Sequence, residues 1–179
     1  MQRATAIGAA ALWNTRAFSA VYMDIEQARG ALLPNAATFQ PWSLALDATA
    51  LASIASASQT RVPQGFSPAG WTGLDAQGRR AGFVLADRVI GKFELIDYAA
   101  GFGIDGTVTQ VEVLAYRESH GAEIRNAAWR KQFPGRKGPA QLRFGDDIRN
   151  ISGATLSCQH VTEGMQRLAA IVALFGTRT

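Results

Sequence analysis

Residues 71–116 leave this chain the fewest folds to choose from. All six prolines lie outside the segment, and its residues read as four strands in succession. Residues 71–74 are followed by the turn Asp75-Ala76-Gln77-Gly78 and a run over 79–90. A second pair, 92–104 and 107–116, is joined at Asp105-Gly106. Asp-Gly between two such runs is a strong hairpin signal, because glycine accepts the positive φ that a tight turn requires. Two consecutive hairpins commit the chain to an antiparallel sheet. In the last strand, period-two alternation predicts Val108, Gln110, Glu112 and Leu114 on one face, with Val111, Val113 and Ala115 on the other.

The same segment contains Gly101-Phe102-Gly103-Ile104-Asp105-Gly106, which matches the dinucleotide-binding string GxGxxG. That string receives a pyrophosphate only where a strand gives way to a helix N-terminus. Here a strand follows, so the glycines are expected to serve a turn and to bind no nucleotide.

Helical patterns flank this region. Asp24 is placed to cap a short helix from Ile25 that stops before Pro34, and Asp47 to cap a second through Leu51 and Ile54. Residues 39–46 suit a strand, which Pro41 restricts to an edge. Residues 60–70 read as a loop. After Glu123 the chain turns helical through Ile124, Ala127, Ala128 and Lys131, with Trp129 and Phe133 four apart, until Pro134-Gly135. Val161, Met165, Leu168, Val172 and Phe175 recur at spacings of four and three, which predicts a final amphipathic helix with one buried face. With no internal repeat and no shift in composition, the expectation is a single α+β domain, an antiparallel sheet flanked by helices.

Apolar residues at 47% against 18% charged exclude a disordered chain. The longest apolar runs, 6–13 and 168–175, fall well short of the roughly 20 residues that span a bilayer. A single cysteine, Cys158, excludes an internal disulfide, and with only two histidines it argues against a metal cluster. Eighteen bases and fourteen acids give a formal charge of +4. Arg125, Arg130, Lys131, Arg136, Lys137 and Arg143 follow one another with no acid between them. So local a patch suits a small phosphate-bearing ligand or a solvated helix face, and no nucleic-acid motif accompanies it. At the N-terminus, Arg3, an alanine-rich stretch and Ala17-Phe18-Ser19 predict an export segment over 1–19, a body over 20–179 and a periplasmic location. An ordinary amphipathic helix is the alternative for 1–19.

Chemistry concentrates in Ser152-Gly153-Ala154-Thr155-Leu156-Ser157, immediately before the last helix. Ser152 is placed to cap it, Gly153 and Ala154 leave room for a ligand, and Thr155 falls in the first turn. There, free N–H groups and the helix dipole attract a phosphate. His120, His160 and Cys158 are weaker candidates: an exposed loop residue, a solvent-facing helix residue and a packed small side chain respectively.

This hexapeptide resembles the flavinylation motif of the FMN-binding domain family, which includes subunits of Rnf-type complexes and of the sodium-pumping NADH:quinone reductase. Asp105-Gly106, Glu118-Ser119, Gly121, Glu123-Ile124, Trp129, Gln132-Phe133 and Gly135 follow in the family's order, and the resemblance is strongest over 92–175. It departs from the pattern at Arg149, where the family has an aspartate, and in a shortened loop at 118–122. The resemblance implies FMN, esterified at Thr155 by a flavin transferase, and electron exchange with a membrane-associated redox partner. It also implies cofactor contacts from Ser152, Gly153, Ala154, Leu156, Ser157, Glu118 and Trp129, with Phe133 an alternative wall for the flavin ring and a base from the patch near the phosphate. Two other functions stay open: a soluble flavin reductase or oxidase with noncovalent FMN, and a flavin-free binding module of the same fold.

Overall fold

The computed structural model describes residues 20–118 and 122–176. The expected export segment 1–19 lies outside the described residues, as do Ser119, His120 and Gly121 of the shortened loop. The elements are β1 (Ala20–Val21), α1 (Ile25–Leu32), β2 (Thr38–Pro41), α2 (Ala48–Ser58), β3 (Ala69–Leu74), β4 (Arg80–Ile90), β5 (Leu95–Gly103), β6 (Val108–Tyr116), α3 (Ala127–Arg130) and α4 (Thr155–Phe175). Five strands and the two-residue β1 form one open antiparallel sheet in the order β1-β6-β5-β4-β3-β2. The fold is α+β, as the alternation and the turn residues predict.

Both hairpins form where expected. At the second, Gly106 sits at φ +81° and Thr107 bonds Asp105 through its hydroxyl (2.7 Å) and its amide (3.0 Å). Those two bonds, joined by Lys137, hold the Asp105 carboxyl down at about 2. The GxGxxG string is therefore the end of β5 and its turn. The expected strand over 39–46 shortens to Thr38–Pro41 at the sheet edge, because Trp42 leaves the ladder to pack its indole on Phe83, with ring centroids 4.8 Å apart.

The predicted faces of β6 need correction. Gly101 pairs with Gln110 but Phe102 with Val108, and Tyr98 pairs with Val113 but Asp97 with Ala115. One residue of β6 is unmatched at each shift, and each such bulge reverses the alternation beyond it. Val108 thus joins Val111, Val113 and Tyr116 in the main core, while Leu114 packs with α1 on the opposite face.

The two sheet faces are covered unequally. On one, α1 lays Ala28 and Leu32 over Val84, Ala99 and Leu114. On the other, α4 crosses β4 and β5, and α2 lies on the outer side of α4. In consequence α4 is buried almost all round from Val161 to Val172, including Thr162, Gly164, Gln166 and Arg167, and not along one stripe. Its polar positions looked like a solvent face in sequence; α2 packs against α4, and the loop after α2 covers Arg167 with Arg61 O and the Phe66 ring. After Glu123 the chain makes a 3-10 turn (Ala122–Arg125) and only one turn of α-helix, because Asn126 breaks the run and caps α3.

At Gly101 the end of α1 comes close against the sheet. A Cβ there would collide with the Leu32 carbonyl and with the Thr109 hydroxyl that donates to it. Gly101→Ala should therefore cost about 2–4 kcal/mol in urea unfolding, because backbone atoms of α1 cannot move aside as a flexible side chain could. An unchanged midpoint would contradict this packing.

Candidate functional site

Three helices begin on a side-chain cap. Asp24 accepts from Gln27 N, Asp47 from Ala50 N and Asn126 from Ala128 N, each at 2.8 Å. The longest helix, α4, begins on Ala154 with no side-chain cap. Ser152 does not cap it, contrary to the sequence expectation. It is exposed two residues upstream, because Ala154 N donates to Ile151 O (3.0 Å) and Gly153, at φ +87°, turns the chain away. The first bond into the helix runs from Cys158 N to Ala154 O at 2.9 Å. The amides of Thr155, Leu156 and Ser157 therefore have no helical acceptor.

Around these amides the side chains leave an opening. Thr155 is exposed, and its Oγ1 accepts a 3.0 Å hydrogen bond from Asn150 Nδ2. The space beside the Gly153 Cα is empty to 4 Å, Ala154 is buried and small, and Leu156 is 43% exposed. Ser157 turns inward, where its hydroxyl meets that of Tyr116 at 3.2 Å and ties α4 to the end of β6. Free N–H groups, the positive end of a 21-residue helix and a hydroxyl in one opening fit a phosphate ester group. Asn150 gave no signal in the sequence, since its role appears only when the turn brings it to a threonine five residues on. Cys158 is fully buried, and that burial raises its thiol, so it packs as a small apolar residue.

Glu118 lies just beyond β6 and is 9% exposed. Its Oε1 accepts from Phe93 N (2.6 Å) and Glu94 N (3.0 Å), fastening the turn between β4 and β5. Burial alone would raise this carboxyl; the amides of Glu94, Phe93 and Lys92, with the Lys92 charge, outweigh it and hold the group below its ordinary 4.5. His160 fastens the same turn and is half-buried, where the sequence had placed it in solvent. Its Nδ1 lies 2.7 Å from Ile90 O and 3.0 Å from Gly91 O. Phe93 at 72% and Ile90 at 56% exposure stand out from this end of the molecule.

Trp129 and Phe133 are core residues, 2% and 0% exposed, packed edge to face at 5.1 Å. Trp129 reaches the site through its ring nitrogen, which donates to Arg149 O at 2.8 Å. Gln132 adds a two-sided clamp, donating to that carbonyl (3.2 Å) and accepting from Arg149 N (2.9 Å). Together they fix the backbone that leads into Ser152. The basic run disperses: Arg130 pairs with Glu112, Arg136 and Arg143 with Asp147, and Lys137 with Asp105. Arg125 lies over the Tyr22 ring, 3.4 Å from its centroid. The acids that neutralise the run come from β6, the β5–β6 turn and the loop after it, which is why a linear reading found a patch.

The depressed Glu118 pKa has a stability consequence whose sign is fixed. A carboxyl lowered in the folded state adds stability above its unfolded pKa, and that stability is lost as pH falls through the folded value. Glu118→Gln should cost about 1.5–3 kcal/mol at pH 7, the range for hydrogen bonds to a charged group. The difference from wild type should shrink in urea melts as the pH drops below 4.5. A pH-independent difference would assign the loss to packing.

Residues 91–170 match the family model of the FMN-binding domain. Among solved structures, NqrC of Shewanella oneidensis is similar, with a TM-score of 0.50 at 16% sequence identity, covering 88% of this chain and 77% of that one. At that identity the likeness concerns the fold. Comparison with curated proteins finds no match. The matched segment runs from the turn held by Glu118 to the buried middle of α4 and takes in Thr155 and the uncapped helix start. Residues 91–170 are thus similar to an FMN-binding domain, and FMN is the cofactor to which that match points.

Proposed function

We propose that this chain is an exported electron carrier whose FMN is esterified to Thr155 and exchanges electrons with a membrane-associated redox partner. The observation that carries the reading is the start of α4: an exposed threonine hydroxyl beside three amides without helical acceptors, where the other helices have caps. FMN supplies reversible one- and two-electron chemistry through its isoalloxazine, and a phosphoester leaves that ring unsubstituted. The amides of Thr155, Leu156 and Ser157 would hold the phosphate, and the dipole of α4 would offset its charge. Asn150 orients the Thr155 oxygen. Trp129 and Gln132 position the backbone that carries the motif, and Leu156 with Ile90 and Phe93 offers exposed apolar surface at the same end of the molecule.

A threonine hydroxyl is a weak nucleophile at neutral pH, so the ester requires a flavin transferase. Arg149 stands where the family presents an aspartate, and its side chain is exposed while its backbone is clamped. The charge reversal therefore alters the surface a transferase would read without altering the turn. This favours, as a second reading, FMN held noncovalently on the same helix start. The N-terminal features of the sequence support the periplasm as the location, with 1–19 as the export segment and 20–179 as the domain.

Expression with and without a flavin transferase separates the readings. Acid-denatured protein should retain yellow colour and an FMN-sized mass increment on the Thr155 peptide only with the transferase, and Thr155→Ala should abolish both. Flavin released on denaturation would establish the noncovalent reading, and no flavin in either preparation would remove the electron-carrier function. Restoring the acid with Arg149→Asp should raise the esterified fraction. For export, the periplasmic fraction should contain protein lacking its first residues or anchored by them; intact chain starting at Met1 in the cytoplasm would overturn that part.

A further inference from the structure

A second polar feature lies on α4, twelve residues beyond Thr155 and so about 18 Å along the helix axis. Arg167 is 3% exposed, its Nη1 donates to Arg61 O at 3.1 Å, and its guanidinium lies 5.7 Å from the centroid of the Phe66 ring. Its Nε is buried without a hydrogen-bond partner. An unmatched donor on a buried charge costs on the order of 1–3 kcal/mol, so its retention needs a reason. Asp87 faces Arg167 and feels its charge but forms no ion pair with it; the Asp87 Oδ2 instead accepts from the Tyr98 hydroxyl at 3.1 Å. Arg61, Phe66, Asp87 and Arg167 border a cleft of about 1010 Å³ that wraps the free end of β4, where β4 runs on past its pairing with β3. On the side facing α4 its wall holds Arg61, Phe66, Asp87, His160, Glu163 and Arg167.

We propose that this wall binds a small monocarboxylate, with its oxygens on the Arg167 guanidinium and its alkyl part against Phe66. A guanidinium edge presents two parallel donors that match a carboxylate in spacing and plane. The neighbouring Asp87 and Glu163 select against dianions such as phosphate or a dicarboxylate, which they would repel more strongly. The site is separate from the start of α4, and its occupancy does not depend on how FMN is held.

The test is a titration of the ¹⁵N-labelled full chain with propionate, followed by NMR. Propionate should move the Arg167 Nε–H resonance and the amides of residues 61–67 saturably in the millimolar range, leaving 155–157 unmoved. Inorganic phosphate should do the reverse. Asp87→Asn keeps the shape and removes a carboxylate from this wall, so it should tighten propionate binding about threefold to tenfold. Arg167→Gln should abolish the binding; if that variant fails to fold, the direction of the Asp87→Asn change still decides. No saturable shift at 61–67, shifts confined to 155–157, or weaker binding in Asp87→Asn would each overturn the proposal.

Discussion

The burial of α4 between the sheet and α2 is the constraint on which the other features rest. Met165, Leu168, Ile171 and Val172 have almost no exposed surface, and each fully buried side chain of that size contributes about 1.5–3 kcal/mol. A helix packed on both sides cannot slide or rotate without opening cavities, so its ends are fixed in space by its middle. The first turn, which carries Thr155, is thereby presented from a rigid element even though it has no cap. Polar side chains within α4 are drawn into the same arrangement: Thr162 donates to Cys158 O at 2.6 Å, and Arg167 ties the loop after α2 to the helix.

The end of the molecule around Thr155 is assembled by hydrogen bonds across elements. Tyr116 joins β6 to α4 through Ser157, Glu118 fastens the β4–β5 turn, and His160 fastens that turn to α4. Trp129 and Gln132 hold the incoming segment by its backbone. Most of these side chains leave the ligand space open and act on the backbone around it. This division explains why residues that look like ring contacts in a motif are found in the core.

Much of the architecture was legible in the sequence because it is locally encoded. Asp75 to Gly78 and Asp105-Gly106 specify their turns whatever surrounds them, and Asp24 and Asp47 cap their helices in a single sequence step. Most of the failures share one cause, dependence on a distant partner. Alternation in β6 misled because its two bulges are set by pairing with β5, and the polar side of α4 misled because α2 arrives from a hundred residues upstream to cover it. The basic run seemed unpaired because Glu112 and Asp105 are remote in sequence. At the candidate site, the position of Thr155 was readable and the capping role of Ser152 was not, since the φ of Gly153 decides where that hydroxyl points.

With the proposed phosphate on its free amides, the bare start of α4 couples ligand occupancy to local unfolding. A cap on a helix contributes about 1 kcal/mol, and here that contribution is missing from the chain by itself. An anion seated on the three amides acts as an external cap, and it lowers the frequency with which the first turn frays by the free energy of its own binding. The uncapped turn is therefore a built-in difference in mobility between the empty and the loaded protein, felt first at Leu156 and damped where α4 enters the core at Val161. A protease or a quality-control factor that samples frayed ends would distinguish the two forms at that turn, with the rest of the fold unchanged.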